Sequence, residues 1–228
     1  AGLHRATSLA RHRGFFQAMA GALQDASPTG TEPPRVVLLS PGAGSETAFE
    51  QSYLATLLGF PLVEADDLVM HGGTVWLRSG SKLEQVDVIM RRVDAWFADP
   101  LELRGDSQLG VPGLLEATRR GRVAVVNPIG AAVLENPGLV PFLGDAARLL
   151  LGEDAVLASP QTWWCGDSGA RSHVLTHLED LAIKPISRAH APTRYGWLLS
   201  AAERADLAAR IAAEPWAWCG QEPLPLST

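Results

Sequence analysis

Lys184 interrupts an apolar run, Leu181-Ala182-Ile183-Lys184-Pro185-Ile186, that has the length and composition of a strand. Burying an unpaired ammonium is costly. This lysine therefore either snorkels to the surface or meets an anion. It is one of only two lysines, with Lys82, in a chain whose other cations are arginines. A second candidate is Arg91-Arg92, at the end of the apolar stretch Val86 to Val93. Ligands of open α/β sheets bind outside the carboxyl ends of the strands. Neighbouring strand residues point to opposite faces, so at most one of these arginines faces a given cleft. A guanidinium there can grip a carboxylate or phosphate with two parallel hydrogen bonds. An ion pair with Asp94 or Asp99 explains it equally well.

A third candidate is the loop Pro41-Gly42-Ala43-Gly44-Ser45, between a strand and a helix. Amides at a helix start can cradle an anion. Glu64 follows Gly44 by 20 residues, as a ribose-binding acid does in a dinucleotide fold, but Thr47 stands where the third glycine belongs. A tight turn before a helix capped by Thr47 and Glu50 is the plainer explanation. His173 and His177 have the spacing of a two-histidine metal face, but no third ligand is near them in sequence, so a solvated helix face is expected. Cys165 sits beside Trp163 and Trp164 without a basic motif, which points to core or interface and not to a reactive thiol.

These residues need elements to hold them. Apolar spacing predicts helices over 8–24, 111–120, 138–151, 169–179 and 200–213, the last with Ser200 and Glu203 as a capping box, and one from the glycine loop to Leu58, stopped by Gly59. Strands are predicted over 36–40, 61–64, 86–93, 123–126, 181–186 and 196–199, with a hairpin over 70–78 and extended chain over 216–226. The alternation of strands and helices predicts an α/β fold with a mostly parallel, doubly wound, Rossmann-like sheet for about 34–155. Residues 1–33 form a leading helix and a Pro/Gly connector. A boundary near residue 156 opens a smaller α+β subdomain over 156–228.

With 228 residues, 46% of them hydrophobic, the chain can bury one large core or two small ones. A net charge of -6 argues against nucleic acid as partner. No apolar run approaches the roughly 20 residues that cross a membrane. Two cysteines make no disulfide framework, and no signal peptide opens the chain, so a cytoplasmic location is expected.

Taken in order, a series of segments resembles the circularly permuted type 2 ATP-grasp family. They are Val36 to Leu39 with Ser40-Pro41-Gly42, Phe49-Glu50-Gln51, Val86 to Asp94, Asp99-Pro100-Leu101-Glu102, Leu109 to Leu114, Val123 to Asn127, Trp164-Cys165-Gly166-Asp167, Ile183-Lys184-Pro185, Gln221-Glu222-Pro223 and Leu226-Ser227-Thr228. More distant relatives are the permuted glutathione and glutathionylspermidine synthetases. The resemblance implies carboxylate activation by ATP with Mg²⁺, followed by attack of an amine to leave an amide. It implies nucleotide binding by Lys184, with Gln221 and Glu222 at the adenine hinge. It implies substrate binding by Arg91 and Gln51, beside the Gly42 and Gly44 loop.

Three departures from the family pattern stand out. Residues 187–195 hold no glycine where a glycine-rich loop covers the phosphates, so Arg188 or Arg194 would have to make side-chain contacts instead. Pro137 stands where many members place a second phosphate-binding lysine. The family's metal ligands fall upstream of the segments matched here. The chain thus reads as the central and C-terminal part of a ligase, inactive alone, with small carboxylate and amine substrates. The alternative is a degenerate, non-catalytic module that binds a protein partner, to which seven tryptophans lend themselves.

Overall fold

The computed structural model describes residues 12–187 and 191–224. They form two compact units that divide between Ala131 and Ala132.

The first unit is built on strand β1 (Val36–Leu39), four consecutive aliphatic residues, all buried. Such a run needs cover on both faces and a neighbour on both edges. β1 has both: the sheet order is β2-β1-β6-β7, with β2 (Leu62–Val63), β6 (Val88–Arg91) and β7 (Ala124–Val126) all parallel to their neighbours. Val36, Leu38, Val88 and Met90 pack on helices α1 (Arg13–Asp25) and α2 (Ala48–Leu58). Val37, Leu39, Ile89 and Val125 face the other way, into a core with Leu114 and Ala117 of α3 (Leu114–Arg119). That second face is completed by an antiparallel meander of β3 (Leu68–His71), β4 (Thr74–Ser79) and β5 (Lys82–Gln85), with Val75 fully buried in the same core. The expected hairpin over 70–78 is thus two-thirds of a three-stranded sheet, and the meander takes a place that a doubly wound fold gives to helices. The predicted leading helix lies partly outside the described residues. At α2 the expected capping box does not form. Thr47 is the N-cap residue without capping, and its hydroxyl accepts from Gln51 Nε2 at 2.8 Å.

The second unit begins earlier than residue 156. The predicted helix 138–151 is split into a 3-10 turn, Pro137–Phe142, and helix α4 (Leu143–Leu151). Pro141 has no amide proton to continue a helical ladder. Asn136 caps the turn by accepting from the Gly138 amide at 2.7 Å. The turn belongs to this unit because the Phe142 ring meets Trp164 edge-on at 6.5 Å. The sheet has the order β10-β9-β11-β8, antiparallel throughout, from β8 (Thr162–Trp164), β9 (Ala182–Pro185), β10 (Arg194–Tyr195) and β11 (Trp218–Gln221). Helices α5 (Ser168–Thr176) and α6 (Ala201–Ala213) supply Val174, Leu207 and Ile211, which pack with Cys165, Ile183 and Trp218. α6 carries the predicted box: Ser200 Oγ accepts from the Glu203 amide at 3.3 Å and Glu203 accepts from the Ser200 amide at 2.9 Å. The strand expected over 196–199 is instead a 3-10 turn, Gly196–Leu198. Its first amide donates to Leu181 O at 2.9 Å and Leu199 N closes back on Gly196 O at 3.2 Å, which aims the chain into the cap of α6.

Candidate functional site

Strand alternation gives the second unit's sheet two unlike faces. Cys165, Ile183 and Trp218 point into the core under α5 and α6. Their neighbours in the strands take the other face. Cross-strand partners share a face, so the registers Gln221↔Thr162, Gln221↔Ala182 and Cys219↔Lys184 put Thr162, Gln221, Ala182, Cys219 and Lys184 together there. Lys184 is half-buried, and its Nζ donates to Gln221 Oε1 at 2.5 Å. Gln221 Nε2 donates in turn to Thr162 Oγ1 at 3.0 Å. A cavity of about 370 Å³ opens over the lysine, between Glu135 and Pro137 on one side and Pro192 and Thr193 on the other. Among the described residues this is the ammonium's one hydrogen bond, so two further N–H groups remain beside it.

The other residues expected at this site are distributed differently. Glu222 follows Gln221 and turns away from Lys184: it is exposed and lines a separate cavity with Trp163, His173 and Asp180. Its backbone amide donates to Gln161 O at 3.0 Å. Arg194 pairs with Ile183 across β10 and β9, which sets it on the helix-covered face. There it meets Glu203 at 3.4 Å, so it does not line the Lys184 cavity. Arg188 lies outside the described residues. Thr162 and Glu135 went unremarked in the sequence. Thr162 had a signal, because Thr162-Trp163-Trp164 is a β-branched and aromatic run of strand character.

In the first unit, the Gly42 loop leaves the carboxyl end of β1. Gly42 has φ 93°, which strains any other residue, and a Cβ there would lie 2.8 Å from the Glu64 carboxylate. The adjoining cavity, about 320 Å³, is lined by Ser40, Phe49, Glu64 and Asp67 among others. Its two carboxylates oppose an anion. The Gly42 amide is taken by Ser40 Oγ at 3.0 Å, and Gly44 borders open space. Glu64 caps the turn at Ala65–Asp67, with its own amide donating to Asp67 Oδ2 at 2.9 Å, and it lines the cavity beside the loop. Gln51 is 2% exposed. Its carbonyl accepts from Ser40 Oγ at 2.6 Å and its amide donates to Thr47, so it braces the loop from beneath. Arg91 directs Nε to Asn127 O at 2.9 Å and Nη1 to Val93 O. Burial pulls its pKa below the usual arginine value, with Asp94 acting the other way. The guanidinium thus ties the ends of two parallel strands together.

His173 stacks between Trp163 at 4.2 Å and His177 at 4.3 Å. Among the described residues no group of three or more His, Cys, Asp or Glu comes together to hold a metal ion. Both cysteines are buried. Burial pushes the Cys165 thiol up to about 11, and that of Cys219 up to about 12, well away from thiolate chemistry near neutrality. No helix among the described residues is long and apolar enough to cross a membrane.

Comparison with known proteins shows what the chain as a whole is similar to. An uncharacterised protein of Mycobacterium tuberculosis is 53% identical over 208 residues, covering 91% of this chain and 23% of its own length. An uncharacterised protein of Synechocystis is 39% identical over 198 residues, covering 85% of this chain and 40% of its own. A second M. tuberculosis protein is 35% identical over 208 residues, 91% of this chain and 38% of its own. The chain therefore spans well under half the length of these relatives. The family model for the circularly permuted ATP-grasp type 2 proteins matches residues 1–228, the whole of the chain, and the chain belongs to that family.

Proposed function

We propose that this chain is the phosphate-binding part of an ATP-dependent carboxylate–amine ligase, with Lys184 as its contact to the nucleotide phosphates. The observation that carries the reading is the seating of Lys184. It is a cation on the sheet face away from α5 and α6, with the neutral Gln221 amide as its one hydrogen-bond partner among the described residues, and it opens on a cavity that Glu135 also lines. A preorganised positive charge of this kind is what phosphoryl transfer requires of a protein. Gln221 is the hinge-segment residue that reaches this cation, while Arg194 and Glu222 serve elsewhere. In this reading Gln51 and Arg91 act on the substrate side by fixing the shape of their loops. The described residues offer no cluster for Mg²⁺, so no step is assigned to a metal here.

Calorimetric titration with ATP, with and without Mg²⁺, tests the reading. A charge-assisted contact to phosphate contributes about 1.5–3 kcal/mol. Lys184→Ala is therefore expected to weaken binding at least tenfold. Equal affinity in the variant refutes the assignment. The isolated chain is expected to release no ADP.

A second reading, a non-catalytic module that binds a protein partner, is favoured by one observation. Helix α4 has no buried residue, and Leu149, Leu150 and Leu151 are 84%, 78% and 72% exposed. Absence of ATP binding at millimolar concentration would select it.

A further inference from the structure

Thr162 has no place in the nucleotide reading, yet it ends a chain of side chains that begins at Lys184. We infer that Thr162 is the positioning residue for the Lys184 ammonium, acting through the amide of Gln221; this rests on the nucleotide site proposed above. The three side chains share one face of three adjacent strands. Gln221 lies directly opposite Thr162 and one diagonal step from Lys184, whose direct partner is Cys219. Thr162 and Gln221 are 5% and 9% exposed, so bulk water does not substitute for a missing partner.

Proton bookkeeping gives the chain a direction. The Thr162 hydroxyl has one proton, and it goes to Pro160 O at 2.9 Å. A carbonyl cannot donate, so the proton has no alternative use along that bond. Thr162 Oγ1 is then an acceptor toward Gln221, and it receives Nε2–H at 3.0 Å. With its nitrogen fixed on Thr162, the amide must turn its oxygen to Lys184, at 2.5 Å from Nζ. Thus a backbone carbonyl decides which end of a buried amide faces the ammonium. The oxygen attracts the cation and holds it at the cavity wall, leaving two N–H groups for phosphate oxygens. The reversed amide would set an NH₂ group against the ammonium and expel it from this position.

Thr162→Val keeps the β-branched shape and removes the acceptor. Gln221 Nε2 then either stays unpaired in a buried site or swings round to Lys184, and both loosen the ammonium. Thr162→Ser keeps the hydroxyl. The chain has two lysines, so lysine labelled with ¹³C and ¹⁵N gives two side-chain signals, and Lys184→Ala identifies one of them. The Lys184 Nζ and Cε signals are expected to shift and broaden in Thr162→Val and to stay at the wild-type position in Thr162→Ser. ATP affinity is expected to fall about tenfold in the valine variant and to change less than about twofold in the serine variant, in keeping with one misplaced charged contact. Gln221→Met, which removes the relay at its centre, is expected to reproduce the valine signal and serves if the valine variant fails to fold. An unmoved Lys184 signal in Thr162→Val or Gln221→Met overturns the inference, as does a serine variant that behaves like the valine one. Wild-type chain that binds no ATP, or binds it equally without Lys184, overturns the nucleotide reading instead, while the lysine signals still decide the role of Thr162.

Discussion

Asp99 is fully buried, and its carboxylate accepts three backbone amides: Leu101 N at 2.9 Å and Gly113 N at 3.0 Å on Oδ1, and Leu115 N at 2.9 Å on Oδ2. It thereby joins the turn after β6 to the start of α3, whose Leu114 fills the core beneath the parallel sheet. Replacement by alanine leaves three partly buried donors without their acceptor, at about 1 kcal/mol or more each, the low end of the range for a fully buried donor. Part of this returns, because a carboxylate no longer has to be desolvated. A net loss of about 3 kcal/mol follows, which is roughly a hundredfold in the unfolding equilibrium. Asparagine can keep one oxygen in the Oδ1 position for two of the amides, but sets an NH₂ group against Leu115 N, so it should fall between wild type and alanine. The assay is native-state hydrogen exchange of the β1 and β6 amides, which reports on the first unit alone where the denaturation of a two-unit chain need not be two-state. Protection is expected to drop about a hundredfold for Asp99→Ala and about tenfold for Asp99→Asn. A drop of less than about threefold for alanine, or asparagine as damaging as alanine, would refute the view that Asp99 is a clamp for amides.

Two further outcomes follow from the electrostatics. Glu203 is held below the ordinary glutamate value near 4.5, first by the Ser200 amide and then by the Ser200 hydroxyl. A depressed carboxylate stabilises above its unfolded pKa and loses that contribution as pH falls through its folded value. Protection of the first-turn amides of α6 should therefore decline below about pH 4.5, and Glu203→Gln should remove that decline. The two buried thiols should resist a disulfide-exchange reagent at pH 8 in the native chain and both react once it is unfolded. Rapid native labelling of either would contradict their burial.

Much of the framework was legible because it depends on local pattern. Val36-Val37-Leu38-Leu39 can be satisfied only by cover on two faces, and Gly59, at φ 76°, ends α2 as its residue type requires. Ser200 and Glu203 form their box within four residues of chain. Lys184 stood out because a charge in an apolar strand demands a partner.

What the sequence could not supply was facing and partnership. Gln221 and Glu222 are neighbours in sequence, yet Gln221 bonds Lys184 while Glu222, just past the end of β11, lines a separate cavity. Arg194 was counted with Lys184, but its register against Ile183 sends it to the helix-covered face. Gln51 and Arg91 carry groups suited to a substrate, and only the packing of the first unit spends them on Ser40, Thr47, Val93 and Asn127. The placing of the unit boundary likewise waited on the contact of Phe142 with Trp164, far apart in the chain. Local pattern determined which residues form elements and which cation needed a partner. Register across strands, set by long-range pairing that no single segment encodes, decided that Gln221 would meet that cation and Thr162 would meet Gln221.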